Sequence, residues 1–456
     1  MPRNMTRTGP RRRPLPLLAS LAALAAVACA EPAAPGLCPA DGDRTGPTPH
    51  AWTLDGDDLV WTAEASPHVV TGVLSVPAGE TLRIEPCAEV RFEADAGLEA
   101  TLPGSRLEIL GEPGAEVTLS GQDGARWADL HVAAPASAEL RHARLRGGGA
   151  DPTHGHPTLL VRGTGDIPTA RPVLVDTVEV TDSWGPGLVV EQVAGFAEGS
   201  AGLVVRGAGQ GGAGVPLVVG EHTLTTLPDG TYTGNADDVI LVREESAGGH
   251  EGFQEDATLR ALGVPYRTAP DSFLRVGTSG DRVGRTTLTF EAGVEVQFAA
   301  GTGVVVDDGL RPDTSFGVLR LLGTAEAPVR LTSAAPTPAP GDWRGLVFQA
   351  RVAPETRLEH VELAHTGAWC GCSLLSCSDV AFYEAAIVLL QPPEHAFLTD
   401  STLRDGAGHG IVRSWDGPPG PDLTASNTFT DLGGCDQTLP RAEDGTCPDD
   451  TLSPCE

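Results

Sequence analysis

The sequence predicts an all-β solenoid on three observations. Short β-prone segments of four to six residues follow one another, with turn residues every few positions. No helical periodicity of useful length occurs after the first thirty residues. A unit of about 200 residues lines up on a later stretch of the same chain, the mark of a repeat architecture.

The amino-terminal end reads as an export signal. Its first thirty residues hold five arginines (Arg3, Arg7, Arg11, Arg12, Arg13) and no acid, followed by an apolar run from Leu15 to Ala28. That run is too short for a membrane-spanning helix, which needs about 20 apolar residues. It ends in Ala26-Val27-Ala28-Cys29, which resembles the lipobox of bacterial lipoproteins and implies an acylated Cys29 as mature N-terminus. Cleavage after Ala30 is the alternative, because Ala28 and Ala30 are also small; lipidation is the favoured reading. Residues 1–28 are then the signal peptide, and the Ala-, Pro-, Gly- and Asp-rich stretch 29–50 a flexible tether.

Charge narrows the partners. Removing the leader's five arginines from 31 leaves 26 against 61 acids, a formal charge near −35. Such a chain repels nucleic acid and anionic membrane surfaces, so contact with a membrane is expected through the lipid anchor only. The chain has no lysine, hence no lysine base, Schiff-base former or phosphate clamp. Eight cysteines follow Cys29: Cys38, Cys87, Cys370, Cys372, Cys377, Cys435, Cys447 and Cys455. An even number in an exported chain reads as disulfides, with connectivity left open. Neighbouring Cys370 and Cys372 are poorly placed to bond each other. One is expected to pair with Cys377, and the other with the tail at Cys435, Cys447 or Cys455.

The strands and the duplication fix the domain plan. Thr81–Leu98 (TLRIEPCAEVRFEADAGL) aligns without gaps on Thr287–Val304 (TLTFEAGVEVQFAAGTGV). Leu107–Leu119 then falls on Leu319–Leu331, Trp127 on Trp343, Leu140–Leu145 on Leu358–Leu363, Val175-Asp176-Thr177 on Thr399-Asp400-Ser401, and Gly187 on Gly410. The expected organisation is a first module at 51–215, a second at 216–431 and a cysteine-bearing tail at 432–456. Alternation places Val90, Phe92, Val296 and Phe298 inside. Stacking such strands as coils buries one continuous core.

Segments such as Gly323–Val329 and Pro340-Gly341-Asp342-Trp343-Arg344-Gly345-Leu346-Val347-Phe348 resemble the repeats of bacterial right-handed parallel β-helix proteins, pectin-lyase-like in fold. The resemblance covers most of residues 55–431. It implies fold more than activity, since lyases, hydrolases and adhesins share that fold. Gly408-His409-Gly410 is similar to the Gly-His-Gly of polygalacturonases. The carboxylates and the Arg-Ile-Lys that accompany it there have no counterpart here, so no catalytic residue is assigned. Lyases of this fold use calcium held by acids, but pairs such as Asp237-Asp238 and Asp307-Asp308 lack the spacing of a calcium loop. No cofactor is expected, with weak calcium binding by the acidic surface left open.

His142 and His360 occupy the same repeat position and read as packing or ladder residues, and Trp127 and Trp343 as packing residues. Each module also inserts a loop before the strands at Thr158–Val161 and Ala386–Leu389. The first loop, 147–157, carries Asp151, His154 and His156; an ordinary polar loop is the expectation and no metal is assigned, with a divalent-metal loop of these ligand types as the alternative. The second, 366–384, carries Cys370, Cys372 and Cys377 beside His365, for which disulfides are the expectation. The function expected is that of a non-enzymatic envelope protein at the outer membrane or cell surface, with a periplasmic or secreted location as the alternative. It would be a rod on the order of 80 Å long, with a structural role or a binding role toward polysaccharide or an envelope protein. The alternatives are a carbohydrate-active enzyme, marked by a groove lined with converging carboxylates or arginines, and a calcium-dependent adhesin, marked by acids stacked on successive coils.

Overall fold

The computed structural model describes residues 38–51, 54, 56–211, 214–247, 250–277, 285–307, 313–368 and 384–440. Cys29, Cys370, Cys372, Cys377, Cys447 and Cys455 lie outside the described residues.

The described chain is a parallel β-helix whose rungs each give one strand to each of three faces. On the first face Thr81–Ile84 pairs with Arg106–Leu110, which pairs with the start of the long strand Ser137–Arg146. On the second, Glu89–Phe92 pairs with Val117–Gly121, which pairs with the end of that same strand. On the third, Gly97–Ala100 pairs with Leu130–Ala133, and that with Leu159–Arg162. All these pairings are parallel. Alternate residues point inward, so Leu82, Ile84, Val90, Phe92, Val296 and Phe298 are fully buried. A slip of one residue would turn each of them to solvent.

The duplication persists down to single contacts. Phe92 stacks on Trp127 at 4.5 Å and Phe298 on Trp343 at 4.3 Å. Each indole N–H donates to the equivalent carbonyl, that of Arg146 or of Ala364. His142 and His360 are corner residues: at φ of +41° and +49° they turn the chain from the first face to the second. Histidine is among the residue types enriched in that left-handed region. Thr177 and Asp400 turn the next corner at +57° and +51°. Thr177 therefore matches Asp400, one residue away from the sequence alignment of that short segment. The alignment of Gly187 on Gly410 holds, because Leu159 pairs with Leu188 as Ile387 does with Ile411.

The modules meet through an exchange of walls that the sequence did not announce. The third face of the first module continues from Leu217–Gly220 to Ile240–Arg243, then to Tyr266–Thr268 and Glu295–Phe298. Yet Glu295–Phe298 is the counterpart of Glu89–Phe92, a second-face strand. One sheet of 13 strands thus runs through both modules, while the first module's second face ends at Gly230–Thr231. A new wall starts on the far side, where Phe253 bridges to Val276 and Leu274–Val276 pairs with Val304–Val306. The first face crosses the junction through the 3-10 helix Glu221–Thr226. There the Thr223 hydroxyl donates to the Ala194 carbonyl, and the Thr226 and Thr225 hydroxyls accept from the Phe196 and Thr258 amides.

Glu221 of that helix is fully buried. Burial, reinforced by the charges of Glu244 and Glu245, pushes its carboxyl well above the ordinary range. The folded state therefore holds a proton that the unfolded chain releases. Stability is fully present below the ordinary carboxylate value and is lost as pH rises toward the folded one. Glu221→Gln is expected to raise the melting temperature by a few degrees at pH 8 and to leave it nearly unchanged at pH 4. Equal shifts at both values would mean that the carboxyl is ionised when folded.

At about 4.8 Å per strand, 13 strands span about 58 Å. This is shorter than the length expected from the sequence, because loops lengthen the rungs. Paired residues lie from 20 positions apart, at Thr48 and His68, to 42, at Val304 and Leu346. Both ends of the stack are fastened by sulfur. Thr48–His50 already pairs with His68–Val70, and Cys38 is bonded to Cys87. At the other end Cys435 is also disulfide-bonded, to a partner outside the described residues. Residues around it add to the last rung, as the Gly410 and Ile411 amides donate to the Cys435 and Asp436 carbonyls and the Thr438 amide to Ile411. Disulfides belong to an oxidising, extracytoplasmic compartment. Among the described residues no helix is long and apolar enough to cross a membrane.

Candidate functional site

The outer side of the first module's second face carries an open groove of about 740 Å³. The strand register builds it. Arg91 pairs with Ser120, Ser120 with Arg146, Arg146 with Thr181 and Thr181 with Arg206, in one outward column of alternating arginine and small hydroxyl residues. The parallel column runs through Thr118, Arg144 and Glu179. Each outward residue follows an inward one, Leu119, Leu145, Val180 or Val205, so the alternation that fills the core also sets the groove. Gly207, Gly234 and Asp182 line its margin.

In a chain of net charge −30 this floor is locally rich in arginine. Arg146 pairs with Asp182 at 2.8 Å, Arg206 with Glu179, and Arg144 with Glu116 at 3.5 Å. These arginine side chains remain 73%, 61% and 58% exposed. Exposed pairs of this kind contribute about 0–1 kcal/mol each, and a guanidinium has five donors, so an incoming anion can share or displace the carboxylates. Beside the groove Arg126 lies over the ring of Trp184 at 5.1 Å and donates to the Asp182 carbonyl. Trp184 is exposed, whereas the other described Trp, Phe and Tyr rings are buried or half-buried.

A second cluster lies where the loop 147–157 folds over the third face. His154 Nδ1 is 2.7 Å from Asp129 Oδ2 and 3.3 Å from Asp151 Oδ2. Asp151 is held in turn by the amide and hydroxyl of Thr153. The loop is fixed by its Gly149 and Ala150 amides, which donate to the carbonyls of Ala128 and Trp127. Beneath it, His131 occupies an outward position on Leu130–Ala133, opposite Glu99, and its ring stands 5.0 Å from that of His154. Burial pushes the Asp129 carboxyl up, partly offset by His154. Burial acts the same way on Asp151, but the hydrogen bonds from Thr153 outweigh it and hold that carboxyl below the ordinary range. The His131 imidazole holds Glu99 low despite burial.

Of the three residues singled out in the first loop, Asp151 and His154 come together and His156 does not. His156 bonds through Nδ1 to the Gly149 carbonyl. Asp129, His131 and Glu99 were missed, since they reach the cluster from strands about a rung apart in sequence, and only a known rung length would reveal them. His409 is a structural fastener, buried, with Nδ1 accepting the Cys435 amide at 2.9 Å. The acidic pairs are engaged too: Asp238 accepts from the Gly234 and Asn235 amides, Asp237 pairs with Arg267, and Asp307 accepts from Phe316 and Gly317.

No protein-family model, no curated protein and no solved structure matches this chain.

Proposed function

We propose that the chain is an exported, lipid-anchored β-helix protein of the cell envelope with a binding role, and that its ligand is an acidic glycan laid along the arginine groove. The observation that carries this reading is the pair Arg146 and Arg206 in the groove, two rungs and about 9.6 Å apart, with Arg91 continuing the column two rungs beyond Arg146, outside the groove's lining. That spacing suits an extended polymer with an anionic group on every second sugar. Ser120 and Thr181 between the arginines offer hydroxyls to the intervening unit. The export signal and the Ala26–Cys29 motif support the envelope location, as do the two disulfides.

Arg144, Arg146 and Arg206 with Glu179 and Asp182 also give the groove the converging arginines and carboxylates that mark a carbohydrate-active enzyme, and favour that as the one second reading. A panel of acidic and neutral polysaccharides, scored for retention and for new reducing ends or unsaturated products, separates the two. Expected are retention of acidic polymers, no products, and roughly tenfold or greater weakening in the double variant Arg146→Ala/Arg206→Ala. Products would make the protein an enzyme, and retention that ignores the double variant would remove the groove from the account. Mass spectrometry of the mature protein is expected to find a blocked, acylated Cys29; a free N-terminus at Glu31 would exclude the anchor.

A further inference from the structure

We propose that Asp129, His131, Asp151 and His154 form a binding site for one divalent transition-metal ion, zinc by preference, roofed by the loop 147–157. Donor atoms of Asp129, Asp151 and His154 all lie within 4.8 Å of one another. Around a tetrahedral zinc with bonds near 2.0–2.2 Å, ligand atoms stand about 3.3 Å apart. His154 Nδ1 is already 3.3 Å from Asp151 and needs to open only slightly from the 2.7 Å contact with Asp129.

A hydrogen-bonded Asp–His–Asp triad would by itself account for these three residues as a fastener of the loop. It leaves His131 unexplained. That side chain is nine-tenths buried; its Nδ1 faces only the Glu99 carboxylate, 3.9 Å away, and its Nε2 has no hydrogen-bond partner. A buried polar group without a partner costs free energy that an apolar residue at the same position would avoid. An outward-facing position under a loop imposes no need for histidine. A metal ion held by Asp129, Asp151 and His154 would give Nε2 its partner once the His131 ring, 5.0 Å from that of His154, closes on the ion. Glu99 Oε1 stands 3.9 Å from His131 Nδ1, placed to orient the ring from behind, as carboxylates do for metal-bound histidines. Two imidazoles with two carboxylates suit zinc and its transition-metal neighbours; calcium takes six to eight oxygen ligands, which this site lacks.

The test uses the full mature protein, treated with chelator and dialysed, then titrated with zinc chloride by calorimetry and checked by elemental analysis. One equivalent of zinc is expected, with affinity falling at least ~10-fold in both His131→Ala and Asp129→Asn. His156→Ala is expected to bind as the parent does. No stoichiometric zinc, or zinc unaffected by His131→Ala, overturns the proposal. Should either variant fail to fold, cobalt(II) in the parent protein reads the same ligands. Tetrahedral absorption bands displaced by one equivalent of zinc, with both ions protecting His131 and His154 from chemical modification, support the site. Modification of His131 at an unchanged rate with metal present overturns it.

Discussion

Truncating Phe298 to alanine is expected to cost roughly 3–5 kcal/mol, as for other fully buried aromatic side chains. The ring lies in the shared sheet, on a strand paired with Val329–Ser333, and covers the indole of Trp343 at an interplanar angle of 7°. Its loss removes the transfer free energy of the ring and leaves a cavity between rungs that stiff neighbouring strands cannot close. Because solenoids unfold by blocks of rungs, the loss should appear as early exchange of second-module amides at urea concentrations where first-module amides stay protected. A change below about 1 kcal/mol would mean that the side chain faces solvent.

The second large effect is expected at the Cys38–Cys87 bond, which closes a segment with a sequence separation of 49. Chain-entropy arguments assign such a closure about 4 kcal/mol, as an upper figure. The test must not add strain of its own. Cys87 has φ +66°, and the aligned residue of the second module, which has no such bond, is Gly293 at φ +81°. Cys38→Ser with Cys87→Gly therefore removes the bridge while keeping a residue suited to the turn. The first rungs, from Thr48–His50 to Thr81–Ile84, should then be cut first in limited proteolysis, with the second module untouched. Unchanged resistance of these rungs would show that their packing holds without the bond.

What the sequence made legible was set by local periodicity. Inward residues such as Val90 and Phe298 declare themselves because a strand alternates every two residues, and the duplication repeats the statement. The equivalence of Trp127 with Trp343 was legible for the same reason. The corner role of His142 and His360 was not, since histidine is enriched at positive φ but most histidines lie elsewhere, so residue type alone marks no corner. The groove was hidden by averaging: a net charge says nothing of where Arg91, Arg146 and Arg206 fall once rungs of unequal length are stacked. Asp151 and His154 were visible as a short loop motif, but His131 lies on, and Asp129 just before, a strand bearing no motif. The wall exchange near Glu221–Thr226 was the least legible feature, because aligned strands look alike whichever neighbour they stack on.

That exchange has an evolutionary consequence. Duplicating a coil array without it would place both copies of every loop along one edge, facing the same surroundings and open to binding the same thing. Here the chain enters the shared 13-strand sheet from the loop 147–157 in the first module, but leaves that sheet after Val361–Ala364 to reach the equivalent loop position in the second. The twin loop positions therefore border opposite margins of one wall. Each position was thereby free to diverge without crowding the other.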